Sequence, residues 1–219
     1  MAGDSKSAAK PKADIGALAE KLAKSFVRAE PDKPKVRQSV VEWNAKQMME
    51  FGYEFTAETL NILVDYLKGY NLWVCGNVGV GKTFFFECMS KLKRARGFGP
   101  IVKLSMLETQ GWTMDDARNW VFDNGGSDVL IDDVGTEPEM CSYGVRAELF
   151  PYLLEKRMQL TARRTHITSN LGPADILKRY DRRVSDRFVQ MFKMEQMKAK
   201  KSRRQLRPWK TAENGGGVP

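Results

Sequence analysis

The segment 76–83 is the sequence feature that most constrains how this chain can fold. It reads Gly-Asn-Val-Gly-Val-Gly-Lys-Thr and matches the phosphate-binding loop pattern G-x-x-x-x-G-K-[ST] without interruption. Such a loop requires a strand before it and a helix after it. The apolar run Leu72–Cys75 precedes the loop, and residues 84–93 contain no helix breaker. The sequence therefore predicts an α/β domain built around a nucleotide phosphate site.

The loop assigns a role to each of its residues. Backbone N–H groups of a glycine-rich turn and of the following helix attract phosphate oxygens. Lys82 is expected to reach the β- and γ-phosphates, and the Thr83 hydroxyl is expected to ligate Mg²⁺. The predicted nucleotide-binding residues are Gly76, Asn77, Val78, Gly79, Val80, Gly81, Lys82 and Thr83.

Downstream of the loop, apolar runs alternate with helical patterns. Strands are predicted at 101–104, 128–132 and Thr165–Ser169, and helices at 39–50, 56–69, 113–123 and 145–158. Capping boxes are expected where Ser39 and Glu42 open one helix and where Thr113 and Asp116 open another. Strands that alternate with helices predict a parallel, doubly wound sheet, whose ligands lie at the carboxyl ends of the strands. Residues 191–197 fit a helix and a half-buried strand equally well.

Two acidic residues, Asp132 and Asp133, end the predicted buried strand at 128–132. Paired carboxylates at such a position favour a nearby cation. Asp132 is expected to hold Mg²⁺ through its waters, and Asp133 to orient or deprotonate an attacking water. The alternative is a surface turn, because Gly135 follows. A phosphate loop in the same chain favours the first interpretation, because phosphoryl transfer needs both parts.

Polar and basic residues follow the strand Thr165–Ser169. Ser169 and Asn170 could hydrogen-bond a γ-phosphate or a water. Four arginines then occur on a predicted helical segment, where they either lie on an ordinary charged surface or reach a neighbouring subunit's phosphate. These arginines are Arg179, Arg182, Arg183 and Arg187.

The composition limits the classes of partner and compartment. A net charge of +9 suits a nucleic-acid partner. Much of this charge lies between residues 198 and 210, which would contact DNA or form a solvated tail. Three separated cysteines and one histidine make a zinc site improbable, and no apolar run reaches a membrane span. We therefore expect a cytoplasmic protein without a membrane partner.

Both ends of the chain are expected to lie outside the main domain. Residues 1–35 read as a flexible lead with one amphipathic helix, in which Ile15, Leu18, Leu22 and Phe26 share a face. This helix would dock on a partner or pack on its own domain; Pro31 and Pro34, which separate it, favour the partner. Residues 36–204 are predicted to form the catalytic domain, and 205–219 a disordered basic tail.

Together these segments resemble the DnaC/IstB-type AAA+ ATPases, which include bacterial and phage helicase loaders and transposition helper ATPases. The acidic segment that runs into Gly135-Thr136-Glu137-Pro138 is more specific than a generic acidic strand. The order and spacing of the whole set are more specific still. The matching segments are 76–83, 131–138, 143–146, 165–171, 183–188 and 202–204.

The resemblance implies a P-loop AAA+ fold with a five-stranded parallel sheet, in which residues 191–197 form the fifth strand. The chain after Arg187 is too short for a full helical lid. The implied cofactors are ATP and Mg²⁺. In the implied roles, Lys82 and Thr83 are the Walker A pair, and Asp132 and Asp133 are Walker B. Asn170 is sensor 1, and Arg187, with Arg183 as its neighbour, is an arginine finger acting across a subunit interface.

The function implied is that of an ATP-dependent helicase loader of DNA replication. Such a protein hydrolyses ATP in an oligomer that engages single-stranded DNA and a replicative helicase. One alternative is a transposition helper ATPase that acts on duplex DNA with a transposase. Another is a nucleotide-gated binding module with negligible hydrolysis, because Asp133 stands where the broad AAA+ class usually has Glu.

Overall fold

The computed structural model describes residues 35–198, except 94–97, 107–110, 138–139, 143–144, 148 and 161–162. Within these ranges, helices cover both faces of a five-stranded sheet. The predicted amphipathic helix near residues 15–26, the segment 202–204 and the predicted tail 205–219 lie outside the described residues. None of the helices in the described ranges is long and apolar enough to cross a membrane.

The elements alternate as the phosphate loop predicts. The helices are α1 (Gln38–Glu50), α2 (Ala57–Leu67), α3 (Lys82–Lys93), α4 (Met114–Asp123), α5 (Leu149–Met158), α6 (Pro173–Arg179) and α7 (Arg182–Met191). The strands are β1 (Leu72–Cys75), β2 (Phe98–Lys103), β3 (Asp128–Val134), β4 (Met140–Ser142), β5 (Val145–Ala147), β6 (Thr165–Ser169) and β7 (Lys193–Gln196). A short 3₁₀ helix, Leu104–Met106, follows β2.

The five-stranded sheet has the order β2-β3-β6-β1-β7, and all of its strand pairs are parallel. Strand β6 therefore lies between the strand that precedes the phosphate loop and the strand that carries the acidic pair. Because carboxyl ends of parallel strands meet at one edge of a sheet, this order brings the ends of β1, β6 and β3 together. The predicted five-stranded parallel sheet is confirmed, including β7 as its fifth strand.

Apolar side chains form a core on each face of the sheet. Successive residues of β1 alternate between the two: Leu72 and Val74 pack with α1–α3, whereas Trp73 and Cys75 pack with α4–α7. Period-two alternation is the pattern of a strand that is buried on both faces. Trp73 is fully buried and meets Phe188 of α7 edge-on, with ring centroids 5.1 Å apart. The helices on both faces thereby fix the position of the loop that follows β1.

Local capping signals gave several helix starts correctly. Thr56 caps α2 in a capping box with Thr59, and Thr113 caps α4 in one with Asp116. The predicted capping box of Ser39 and Glu42 is wrong. Helix α1 begins one residue earlier, at Gln38, and has no side-chain cap. The Gln38 side chain instead donates a 2.7 Å hydrogen bond to Glu42 Oε1, so the carboxylate is already engaged one turn along the helix.

The predicted helix at 145–158 is wrong in its first part. Val145–Ala147 is the strand β5, which pairs antiparallel with β4, and helix α5 begins only at Leu149. Ser142 pairs with Val145, and only Tyr143-Gly144 separates them in the sequence. This spacing is typical of a two-residue hairpin loop. The hairpin supplies inter-strand hydrogen bonds that helical periodicity does not detect.

A buried arginine, Arg157 of α5, joins three parts of the α4–α7 side of the fold. Its side chain is 1% exposed. Its guanidinium donates to the Thr165 hydroxyl and to the carbonyl oxygens of Asn124, Ser127 and Arg164, at 2.9–3.2 Å. Burial lowers the pKa of Arg157 to about 10. The arginine therefore adds charged donors to carbonyl groups that precede β6 and β3, of which those of Asn124 and Arg164 also accept a backbone N–H.

Replacing this arginine is expected to destabilise the protein. Arg157→Met keeps most of the apolar stem but removes the guanidinium that donates to these four acceptors. We expect a loss of about 3 kcal/mol in the free energy of unfolding, because hydrogen bonds from charged donors contribute the most and buried acceptors are costly to leave unpaired. Urea unfolding with linear extrapolation would measure it. The exposed Arg163→Met is the control, and equal losses in both variants would contradict the role of Arg157.

A carboxyl pair lies between α2 and the edge strand β7. Glu195 hydrogen-bonds Asp65, and Lys193 Nζ donates to Asp65 Oδ1 at 3.0 Å. Burial, and then the hydrogen bond and charge of Asp65, raise the pKa of Glu195 from 4.5 to about 7. The folded state thus binds more protons than the unfolded state between these values. Stability from this pair is present at low pH and is lost as the pH rises through that window.

Removing the titrating group should therefore change stability in a pH-dependent way. Glu195→Gln cannot ionise, so we expect it to be more stable relative to the wild type at pH 8 than at pH 5. Urea unfolding at both pH values would measure the difference. Glu42→Gln, on the exposed side of α1, should show the same small effect at both. An equal effect of Glu195→Gln at pH 5 and pH 8 would rule out this titration.

Candidate nucleotide-binding site

A cleft of about 470 Å³ opens where β1, β6 and β3 end. The phosphate loop follows β1, the acidic pair ends β3, and Asn170 follows β6. All three predicted groups therefore meet in one place, as expected for a doubly wound sheet. The cleft is lined by Val78, Gly79, Gly81, Lys82, Thr83, Phe84, Glu87, Lys103, Asp132, Asp133, Thr136 and Asn170.

The phosphate loop begins at a position that only glycine can occupy. Gly76 has a φ of 149°, and a Cβ there would lie 2.2 Å from the carbonyl oxygen of Met197. Met197 is held close because its N–H donates a 2.8 Å hydrogen bond to the Cys75 carbonyl. The Gly76 N–H in turn donates to the Ser169 carbonyl at 3.2 Å. The first residue of the loop is thus clamped between the ends of β7 and β6.

The Lys82 ammonium lies inside the loop and is 5% exposed. Lys82 Nζ donates hydrogen bonds to the carbonyl oxygens of Gly76 and Asn77, at 2.7 and 3.0 Å. It also donates to Asn170 Oδ1 at 2.8 Å. The lysine therefore joins the loop to the end of β6 through neutral oxygen atoms. A phosphate is a stronger acceptor than these groups, so the arrangement fits an anionic ligand.

Thr83 and Asp132 form the second half of the site. Thr83 Oγ1 donates to Asp132 Oδ1 and Oδ2 at 2.9 and 3.1 Å. Thr168 Oγ1, from β6, also donates to Asp132 Oδ1, at 2.5 Å. Asp132 is only 1% exposed, and this burial is the main reason why its pKa is raised. A buried carboxylate held beside a hydroxyl is the kind of oxygen pair that fits a divalent cation.

The donor set fits Mg²⁺ bound together with a nucleotide. No cluster of three or more His, Cys, Asp or Glu side chains suited to a metal occurs among the described residues. Mg²⁺ usually takes one or two protein carboxylates and completes its shell with phosphates and water, so such a cluster is not required. Thr83 and Asp132 would be its protein-side partners. When bound, the cation would neutralise charge on the phosphates.

Asp133 adopts an unusual backbone conformation beside the cleft. Its φ is 60°, and it is the one described non-glycine residue with a positive φ. Its N–H donates to Thr168 Oγ1 at 3.0 Å, and its carbonyl accepts from Thr136 Oγ1 at 2.6 Å. These bonds hold the backbone on both sides of the residue. This left-handed conformation follows directly on Asp132, where the register of β3 with β6 shifts, and both acidic residues line the cleft.

Some residues of the cleft were missed by the sequence interpretation. Thr168 is fully buried and donates to Asp132, next to the pair of Ile131 with Ile167 and just where the register of β6 with β3 shifts. Lys103 is exposed and pairs in register with Asp132, and its positive charge offsets a small part of the rise in the pKa of Asp132 that burial causes. The rule that ligands bind at strand carboxyl ends could have identified Lys103, since it ends β2. Glu87 lies one helical turn after Thr83, a spacing that could have identified it.

The two arginine-finger candidates lie on α7 and do not line the cleft of their own chain. Arg187 is half-buried, and its Nη1 donates to Glu155 Oε2 at 3.2 Å. Arg183 is exposed, and within the described part of the chain it has no hydrogen bond or ion pair. Ser169, predicted beside the sensor position, bonds the Val134 carbonyl and the Leu171 N–H instead. The catalytic roles of Lys82, Asp133, Asn170 and Arg187 stay predictions.

Comparison with known proteins identifies the fold. No protein-family model matches the chain, and no curated protein matches it. Among solved structures, it is similar to AMPPCP-bound DnaA from Aquifex aeolicus, with 18% identity and a TM-score of 0.50 over 73% of this chain. It spans 52% of that DnaA chain. A DnaC helicase loader structure matches with 16% identity and a TM-score of 0.39, over 82% of this chain and 99% of that one.

The DnaA similarity concerns the fold alone, because the identity is low. This chain itself has a parallel sheet with the phosphate loop after β1 and the acidic pair at the end of β3. The similarity thus supports the predicted fold, and the chain has a P-loop α/β fold of the AAA+ type.

Proposed function

We propose that this protein is an ATP-dependent helicase loader of DNA replication. It would bind and hydrolyse ATP with Mg²⁺ in an oligomer that engages single-stranded DNA and a replicative helicase. Two hydrogen bonds between residues that line the cleft support the ATPase part of this proposal. Lys82 bonds Asn170, and Thr83 bonds Asp132. The residues proposed to contact the phosphate, the metal and the attacking water are therefore joined in one site.

Each side chain at the cleft would have a separate task in hydrolysis. Lys82 would exchange its bonds to neutral oxygens for bonds to phosphate, which releases Asn170 to contact a γ-phosphate or a water. Asp133 would orient the attacking water and accept its proton, while Thr168 keeps Asp132 in place. Arg187 of a neighbouring subunit would stabilise charge that develops on the transferred phosphoryl group. Arg183, one turn earlier on α7, is the neighbouring candidate for this role.

Substitutions in the cleft should separate nucleotide binding from hydrolysis. We expect Lys82→Ala to weaken ATP binding by about tenfold to a hundredfold, because it loses charge-assisted hydrogen bonds in a shielded site. Asp133→Asn should retain binding and lose about a hundredfold in turnover, because it removes a general base. Titration with a fluorescent ATP analogue and a phosphate-release assay would measure the two effects.

Lys91→Ala, an exposed lysine on the same helix, is the matched control and should change neither quantity. Unchanged ATP affinity in Lys82→Ala would contradict the assignment of the site. ATP binding without measurable wild-type turnover would instead favour a nucleotide-gated binding module. The specific observation behind that second candidate is Asp133 itself, since its side chain is one methylene shorter than the Glu of the broad AAA+ class.

The partner part of the proposal is supported by charge and by chain organisation. The net charge of +9 favours a nucleic-acid partner, and the amphipathic pattern at 15–26 would give a helicase a helix to bind. The resemblance of segments 76–83, 131–138 and 165–171 to the DnaC/IstB-type ATPases favours a loader. The loader assignment therefore depends on the motif resemblance and on the following experiment.

Affinity capture from host extract in the presence of ATP should recover a hexameric replicative helicase. Deletion of residues 1–34 should abolish this recovery and leave ATP binding unchanged, because the cleft lies wholly within the described domain. Mass spectrometry of captured proteins would provide the measurement. Recovery of a transposase, or preferential assembly on duplex rather than single-stranded DNA, would replace the loader with a transposition helper. Equal helicase recovery after the deletion would show that docking lies elsewhere.

A further inference from the structure

Glu137 is a buried acidic residue that lies next to the cleft without lining it. Its side chain is 3% exposed. Glu137 Oε2 accepts a 2.7 Å hydrogen bond from the Gly135 N–H, and Oε1 accepts one from the Tyr180 hydroxyl. The Glu137 carbonyl accepts a third from Arg179, at 3.0 Å. An acidic group is seldom buried this deeply unless it organises other polar groups around it.

The residues that Glu137 holds on one side form the turn that carries Asp133. The Asp133 carbonyl accepts hydrogen bonds from both the N–H and the hydroxyl of Thr136, at 3.2 and 2.6 Å. Gly135 has a φ of 98°, and a Cβ there would lie 2.4 Å from a methyl carbon of Leu171. The turn is therefore tight and packed against the chain that follows β6. Glu137 closes it by accepting the Gly135 N–H.

On its other side, Glu137 meets the junction between α6 and α7. Tyr180 stands between these helices, and its ring packs against Phe150 and Phe188, with centroids 5.5 and 6.3 Å away. The next residue, Asp181, caps α7 by accepting a 2.8 Å hydrogen bond from the Val184 N–H. The Tyr180 hydroxyl is thus fixed with respect to α7. That helix carries Arg183 and Arg187.

We propose that Glu137 is a positioning residue for ATP hydrolysis. Its hydrogen bond to Tyr180 would hold the turn at residues 133–137 so that the Asp133 carboxylate faces the attacking water. Because Tyr180 leads directly into α7, the same bond would couple the position of the arginine-bearing helix to the position of Asp133. This inference rests on the proposed ATPase function and deepens it.

The proposed role depends on hydrogen-bond geometry more than on charge at residue 137. A glutamine at this position could still accept the Gly135 N–H through its carbonyl oxygen. Its amide could donate to the Tyr180 oxygen, since a phenol both donates and accepts. Alanine could do neither. The pair Glu137→Gln and Glu137→Ala therefore separates an intact bond network from a broken one.

Tyr180→Phe is the least disruptive test, because it removes one hydroxyl and keeps the packed ring. We expect kcat for ATP hydrolysis to fall by about ten- to a hundredfold, since small displacements of a catalytic group have effects of this size. The affinity for ATP should stay within about threefold of the wild type, because Lys82 and Thr83 are untouched. Tyr152→Phe, on α5 and away from the cleft, is the matched control and should leave kcat unchanged.

Two further variants test whether both residues act through one bond. Glu137→Ala should lower kcat at least as much as Tyr180→Phe, because it also removes the acceptor of the Gly135 N–H, and the double variant should be no slower than Glu137→Ala alone. Glu137→Gln should retain kcat within about threefold of the wild type. All assays are run well below the melting temperature of each variant. Full activity of folded Tyr180→Phe, or additive losses in the double variant, would overturn the proposal.

The outcome is distinguishable from failure of the proposed function. If the wild-type protein binds ATP but shows no turnover under any condition of assembly, the hydrolytic function itself is wrong. If the wild type turns over and Lys82→Ala does not, but Tyr180→Phe behaves as the wild type, only the role of Glu137 is wrong. A melting temperature lowered in Tyr180→Phe with kcat unchanged would make the bond purely structural.

Discussion

The buried ammonium of Lys82 is the interaction on which the organisation of the cleft depends. Its hydrogen bonds connect the loop after β1 to Asn170 after β6, and the oxygens of Gly76, Asn77 and Asn170 that accept them are neutral. A cation shielded from water at a cost of several kcal/mol needs strong partners, and carbonyl and amide dipoles satisfy it only in part. The folded chain thus keeps a positive charge in place before any phosphate arrives, which is how preorganised electrostatic sites lower the cost of binding and reaction.

Sheet register carries this organisation from the loop to the acidic strand. The pairing of Ile131 with Ile167 brings Thr168 close to Asp132, where its hydroxyl donates to the same carboxylate as that of Thr83. A slip of one residue in this register would turn Asp132 to the other face and away from α3. Ile131 and Ile167 pack into the core on the α4–α7 side of the sheet and Leu130 into the core on the α1–α3 side, and they therefore fix the position of the Asp132 carboxylate as well as the fold.

Local signals were enough to predict the parts of the site that follow one another in the chain. The acidic strand end and the caps at Thr56 and Thr113 each depend on residues within four positions of one another, and the phosphate loop depends on eight consecutive residues. Lys103, Thr168 and the bond between Glu137 and Tyr180 could not be predicted in this way, because they depend on strand register or on contacts more than thirty residues apart. The hairpin of β4 and β5 was mistaken for helix for a similar reason, since its hydrogen bonds join two short segments with weak local preference.

Helix α7 carries the two arginines that would reach the nucleotide cleft of a neighbouring subunit. Arg183 and Arg187 are four residues apart and so share a face of this helix, but their surroundings differ. Arg187 is paired with Glu155, whose side chain is 47% exposed, and a pair so accessible to water contributes little stability. Exchange of Glu155 for a neighbour's phosphate would therefore cost little, and exposed Arg183 would need no exchange. Tyr180 joins the start of α7 to Glu137, and Glu137 bonds the turn that holds Asp133. A shift of α7 on such contact would therefore move this turn.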